Sequence, residues 1–125
     1  MNKSAAGGRA RSPMQDCVFC RIVAGEIPAA IVHRDETVVA FRDINPVAPT
    51  HILLVPREHI PDLRSDRAAD GGLWEALMRA IQRLAQAEGV ADGGFRIVVN
   101  TGAAAGQTVP HLHLHLLGGG ELKAF

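Results

Sequence analysis

The chain has 125 residues, of which 47% are hydrophobic and 21% charged, and its 13 basic side chains balance 13 acidic ones. That is the size and composition of one globular domain. A net charge of zero gives no general attraction for nucleic acid or an anionic membrane, and no apolar run approaches the roughly 20 residues that span a bilayer, so any phosphate bound here must be held by local donors.

Residues 1–13 are small, polar and mildly basic (Lys3, Arg9, Arg11), with no apolar stretch of the secretory kind. They read as a disordered tail ahead of a single domain over 14–125, with Met14 as an alternative start. The lack of a secretory signal points to the cytoplasm, where a structural disulfide between Cys17 and Cys20 is not expected. Their Cys-x-x-Cys spacing fits a pair of buried thiols, a redox pair, or half of a tetrahedral zinc site.

Apolar residues at 18, 19, 22 and 23 have helical spacing and predict a short helix over 17–24 that Gly25 stops. Glu26-Ile27-Pro28 begins an extended lead-in. Ile31–Arg34 and Thr37–Phe41 are β-branched runs parted by Asp35-Glu36, the pattern of a hairpin, with His33 on the surface. Asp43 follows at the strand's end, an ionised carboxylate with several acceptor sites. Asn45–Pro49 is a loop, since each proline biases its predecessor away from helix.

His51–Val55 is nearly continuous in apolar residues and predicts a central strand covered on both faces. Pro56 closes it, and residues 64–72 mix charge with glycine as a surface connection. Leu73–Ala87 is the one long helix: Trp74, Leu77, Ile81 and Leu84 form an apolar stripe widened by Ala80 and Ala85, and Gly89 ends it. Phe95–Val99 is a further strand. About five strands and two helices without a β-α-β rhythm predict an α+β fold, with a mostly antiparallel sheet and its helices on one side.

The segment that follows is different in kind. His111-Leu112-His113-Leu114-His115-Leu116-Leu117 alternates imidazole with leucine, so on a strand the three rings share one face over an apolar back. Three half-polar rings need partners, and a plain core strand has no use for them. Either they share a metal, or one is a nucleophile whose neighbours hold its tautomer and the charge it attacks. The preceding loop, Asn100 to Thr108, is rich in small residues and backbone N–H groups, which suits an oxyanion or phosphate better than a bare metal.

This alternation resembles the signature of the histidine triad family, nucleotide hydrolases and transferases that work through a nucleotidyl-histidine intermediate. The likeness runs from about Asp16 to Gly119. It includes Ala40-Phe41-Arg42-Asp43-Ile44, Ala48-Pro49-Thr50-His51, Val55-Pro56-Arg57-Glu58-His59-Ile60, Val98-Val99-Asn100 and Leu117-Gly118-Gly119. Together these look like the Hint branch, purine nucleoside phosphoramidase-like proteins, more than the dinucleoside polyphosphate hydrolases.

The resemblance implies a HIT-like fold and assigns the attack on phosphorus to the middle histidine, His113. His115 would contact the phosphate oxygens, with His51 in support. Phe19, Ile22, Phe41, Ile44 and Leu53 would sandwich a purine base and Asp43 the ribose. Asn100, Gly106, Gln107 and Thr108 would hold the phosphate and leaving group, with the Thr108 hydroxyl hydrogen-bonding or protonating the departing amine. Arg42 stands where relatives have histidine.

Distant relatives, the galactose-1-phosphate uridylyltransferases, bind zinc through a similar cysteine pair and two histidines. By position those are Cys17, Cys20, His59 and His111, a structural zinc; no catalytic metal or organic cofactor is implied. A homodimer is implied as well, joined through the long helix and the Phe95–Val99 strand. The expected reaction is hydrolysis of a nucleoside 5′-phosphoramidate. The alternatives are dinucleoside polyphosphate hydrolysis, nucleotidyl transfer, or a non-enzymatic nucleotide-binding module.

Overall fold

The computed structural model describes residues 16–124; the tail expected over 1–13, and Met14, lie outside them. Five strands form one antiparallel sheet in the order β1-β2-β3-β5-β4: β1 Ile31–Arg34, β2 Val38–Arg42, β3 Thr50–Pro56, β4 Phe95–Val98 and β5 Leu114–Gly118. The expected α+β class and about five strands are what is found. Two α-helices accompany the sheet, α1 Val18–Val23 and α2 Leu73–Ala87.

The helices do not share a side of the sheet, contrary to the reading of the sequence. Alternate residues of the central strands sort into two cores. Val38, Ala40, Ile52, Leu54, Leu114 and Leu116 pack with Leu77, Ile81 and Leu84 of α2. Val39, Phe41, Leu53 and Val55 pack with Cys17, Phe19 and Ile22 at α1. β3, buried at every position, is the central doubly covered strand that its apolar run predicted, and double cover requires an element on each face. The six-residue α1 supplies the second.

Both helices stop where glycine follows. Gly25 (φ 80°) and Gly89 (φ 73°) take the left-handed conformation, and the residues after them, Glu26 and Val90, donate back to Arg21 and Ala85 carbonyls in the Schellman arrangement. Within α2 the buried stripe is Leu73, Leu77, Ala80, Ile81, Leu84 and Ala85. Trp74, expected in it, is 40% exposed and turns its indole N–H to the Ala68 carbonyl at 2.5 Å. Residues 64–72 are less plain a surface connection than expected, for a 3-10 turn over Asp66–Ala69 buries Ala68.

The β1–β2 turn is held by Asp35, whose Oδ1 accepts the Thr37 and Val38 N–H groups while its Oδ2 lies 2.7 Å from His33 Nε2. His33 is therefore not a free surface residue: its side chain is 8% exposed. The histidine segment also departs from a simple strand. The ladder begins only at Leu114, because Leu112 N–H is taken by the Ile60 carbonyl outside the sheet. The alternation survives this. Leu112, Leu114 and Leu116 enter the α2 core, while Phe19 of α1 sets its ring edge against His111 and His113, with centroids 5.9 and 5.1 Å away.

Candidate active site and metal centre

Between α1, the segment after it and the β2–β3–β5 face lies a cavity of about 320 Å³. Phe19, Ile22, Phe41, Asp43, Ile44, Leu53, Thr108, His113 and His115, all singled out in the sequence, line it. Ile44 is 91% exposed and stands at the rim. The cavity is mostly apolar, with the two histidines, Asp43, Thr108 and Arg42 as its polar lining, a common build for a small-molecule site.

Other predicted residues lie elsewhere. His51 sits behind His115, and Asn100, Gly106 and Gln107 belong to the loop above the histidine segment and do not line the cavity. Gln107 braces that loop: its Oε1 accepts the Gly102 N–H at 2.8 Å, and its amide donates to the Pro61 and Val109 carbonyls at 2.8 and 3.0 Å. Gly106, at φ 92°, closes the Ala103–Ala105 turn in a conformation that side chains other than glycine resist.

Sequence reasoning missed Val18, Ile27, Pro28, Ala29 and Val109, which complete the wall. Their traces in the sequence were Val18 in the apolar spacing of the first helix and the extended Ile27-Pro28 lead-in. It also missed the role of Arg42, which lines the cavity and makes a two-pronged pair with Glu88 at the end of α2, at 2.9 and 2.8 Å.

Two backbone groups determine where the imidazole protons sit. His113 Nδ1 lies 2.7 Å from the His111 carbonyl oxygen. A carbonyl only accepts, so Nδ1 carries the proton and Nε2 is left with a bare lone pair. Val47 N–H donates to His51 Nδ1 at 3.1 Å, so in neutral His51 the proton is on Nε2, which donates to His115 Nδ1 at 2.9 Å. His115 then bears its own proton on Nε2. Two rings of the cavity are thus opposite in kind, one a lone-pair donor and the other an N–H donor.

Electrostatics keep the His51–His115 pair uncharged near neutral pH. Burial pushes His115 down to about 4, with His113 and His51 adding to the effect and Asp43 opposing it. Burial also lowers His51, again against the pull of Asp43, whose Oδ2 lies 3.4 Å from Nε2. Asp43, His51 and His115 are close enough to suggest a second metal cluster. The Val47 donor argues against it: a metal on His51 Nε2 would require that ring to lose both protons while Nδ1 still accepts.

The second group of ligating side chains lies at the start of α1. Cys17, Cys20, His59 and His111 bring two sulfurs and two nitrogens within 4.8 Å of one another. His111 Nδ1 is 3.3 Å from Cys17 Sγ and 3.5 Å from Cys20 Sγ, and His59 Nδ1 is 3.2 Å from Cys20 Sγ. Metal–ligand bonds of about 2.0–2.3 Å in a tetrahedron separate the ligand atoms by about 3–4 Å, so the spacing fits zinc. Protonation fits too. His111 Nε2 donates to the Pro56 carbonyl at 2.9 Å, which leaves Nδ1 unprotonated toward the sulfurs. Burial lowers this ring to about 4, and burial, with the adjacent Cys17, pushes the Cys20 thiol up to about 12. A divalent ion supplies the charge that turns such thiols into thiolates.

Comparison with known proteins is consistent over nearly the whole domain. Residues 24–122 match the HIT domain family model. The chain is 46% identical over 105 residues to an uncharacterised HIT-like protein of Synechocystis, covering 84% of this chain and 91% of that one. It is 41% identical over 108 residues to the purine nucleoside phosphoramidase of Escherichia coli, covering 86% and 91%. Among solved structures, a HIT family hydrolase from Legionella pneumophila superposes with a TM-score of 0.82 at 44% identity, covering 86% of this chain and 96% of its own.

Proposed function

Because this chain belongs to the HIT domain family, we propose that it hydrolyses nucleoside 5′-phosphoramidates through a covalent nucleotidyl-histidine. The observation that carries this is the bond from His113 Nδ1–H to the His111 carbonyl, which leaves Nε2 a lone pair on a ring that lines a mostly apolar cleft. The similarity to a purine nucleoside phosphoramidase supports the same class of substrate.

In the first step the His113 Nε2 lone pair attacks the α-phosphorus in line, and the phosphorus–amine bond breaks with its electron pair going to the nitrogen. The amine leaves with a proton, and the Thr108 hydroxyl is the group at the cleft suited to deliver it. In the second step a water oxygen bonds to phosphorus and gives up a proton that restores the Thr108 hydroxyl, the bond to Nε2 breaks, and its electron pair returns to His113 as the nucleotide leaves. One difficult displacement is divided into two easier ones. The His115 Nε2–H donates to the phosphoryl oxygens as charge gathers on them in both steps. His51 fixes that orientation through its bond to His115 Nδ1. Asp43 accepts from the ribose, and the apolar walls take the base.

Cys17, Cys20, His59 and His111 would hold zinc, which supplies structural cross-linking between α1, the loop after β3 and the histidine segment, and the chemistry does not pass through it. The test is adenosine 5′-phosphoramidate. Steady turnover, with an adduct of one nucleoside monophosphate on the peptide carrying His113 trapped by quenching into alkaline denaturant, is the expected result. Tight binding of AMP without turnover would favour a nucleotide-binding module instead.

A further inference from the structure

We infer that Glu88, on the far side of the sheet from the nucleotide cleft, is a positioning residue for nucleotide binding that clasps both ends of the loop between β2 and β3. This rests on the reading of the cleft as a nucleotide site. Arg42 ends β2 and Thr50 begins β3. Both bond to one carboxylate: Arg42 Nη1 and Nη2 donate to Glu88 Oε1 and Oε2 at 2.9 and 2.8 Å, and the Thr50 hydroxyl donates to Oε1 at 3.4 Å.

Strand alternation carries that clasp through to the cleft. Val38 and Ala40 of β2, and Ile52 and Leu54 of β3, enter the α2 core, and Arg42 and Thr50 continue those two series toward Glu88. Asp43 and His51, each one residue further along the chain, turn to the opposite face. There Asp43 lines the cleft, with its Oδ2 3.4 Å from His51 Nε2. The Asp43 N–H donates to the His51 carbonyl at 3.0 Å, so the clasped residues flank a closed neck. Beyond the neck the loop has little packing, for Ile44 and Val47 are mostly exposed, yet the Val47 N–H reaches His51 Nδ1.

The helix itself gives no reason for an acid at this place. Glu88 caps the C-terminal end of α2, where the helix dipole disfavours negative charge, and Leu84-Ala85-Gln86-Ala87 brings no basic side chain to offset it. The offset comes from β2: the Arg42 guanidinium holds the Glu88 carboxyl below its ordinary value, and the Thr50 hydroxyl adds to the effect. The carboxylate is matched to the two ends of the loop rather than to its own helix.

The experiment measures AMP binding by calorimetry and amide hydrogen exchange at Val47 in wild type, Glu88→Gln and Thr50→Val. Removing a negative charge favours an anion, so electrostatics alone predicts tighter AMP binding in Glu88→Gln. Lost positioning predicts the opposite sign. AMP is expected to bind about fivefold more weakly to Glu88→Gln and about threefold more weakly to Thr50→Val, with faster exchange at Val47 in both. Unchanged or tighter binding in Glu88→Gln overturns the clasp, as does unchanged binding in Thr50→Val should the first variant not fold. Turnover of adenosine 5′-phosphoramidate by the wild type then leaves the proposed function standing. Wild-type protein that neither binds AMP nor turns over that substrate overturns both.

Discussion

The carbonyl oxygen of His111 accepts from Nδ1–H of His113 at an N···O distance of 2.7 Å, so a residue of the metal cluster orients the ring beside the cleft. If His113 Nε2 is the attacking atom, His113→Ala removes the chemistry and little else. Turnover of adenosine 5′-phosphoramidate is expected to fall by at least about a thousandfold. AMP affinity, measured by calorimetry, should stay within a few-fold of wild type. A near-normal rate in this variant removes covalent catalysis at His113 outright.

Asp43 offers two readings that kinetics separate. Its Oδ1 accepts the Asn45 N–H at 2.8 Å, and its Oδ2 faces both the cavity and His51. Asp43→Asn keeps an acceptor for the turn and removes the charge. If the carboxylate binds ribose hydroxyls, KM should rise about tenfold or more, as for a lost charge-assisted hydrogen bond, with kcat nearly unchanged. A fall in kcat at constant KM would instead assign Asp43 to orienting His51.

Acid should loosen this face of the molecule. His115 sits near 4 in the folded chain against an ordinary value of 6.5, and His51 is lowered in the same direction. The folded state therefore disfavours the protonated rings. That contribution to stability is complete above the unfolded value of 6.5 and is lost as pH falls toward about 4. The melting temperature should be flat above neutrality and decline through this window, and the His115 ring should titrate by NMR near the lower limit. A ring titrating at its ordinary value would disprove the buried His51–His115 pair.

The zinc prediction has a readout independent of turnover. Protein purified under reducing, chelator-free conditions should carry one zinc per chain, with X-ray absorption giving two sulfurs at about 2.3 Å and two nitrogens at about 2.0–2.1 Å. Cys17→Ser with Cys20→Ser should release it and lower the melting temperature by at least about 5 °C, while the folded variant keeps its rate. Metal-free protein under those conditions favours a pair of buried thiols.

The sequence carried the cleft's walls and the two clusters better than it carried their wiring. Alternation at His111, His113 and His115 survives the late start of β5, because burial of Leu112, Leu114 and Leu116 enforces it. The doubly buried β3 was legible from its unbroken apolar run. What the run could not reveal was which element covers each face, since α1 has only six residues and its stripe is too short to distinguish sides. Trp74 fitted the helical period and still turned outward, because its N–H has a carbonyl to reach at Ala68. The pairs His51–His115 and Arg42–Glu88 join residues 64 and 46 positions apart, and no local pattern announces them.

The last expectation is a two-fold dimer. β4 lies at the end of the strand order, paired with β5, so among the described residues no strand lies along its outer edge. Left bare, such an edge invites uncontrolled association. Phe95 at its start is 37% exposed, and Trp74 on α2 adds a second apolar side chain at 40%. Two copies meeting about a two-fold axis would extend the sheet through β4 and cover these groups with their own equivalents. The two clefts, being on the α1 side of each sheet, would then lie on one outer face of the pair. Light scattering should give twice the 13.3 kDa chain mass at micromolar concentration. A mass of one chain would sink the dimer. The closing control is a charge on the strand itself: Ile97 is partly buried against the α2 core, whereas Val98 stands opposite His115 on the other face. Val98→Asp should therefore yield a folded monomer, and Ile97→Asp should also destabilise the chain.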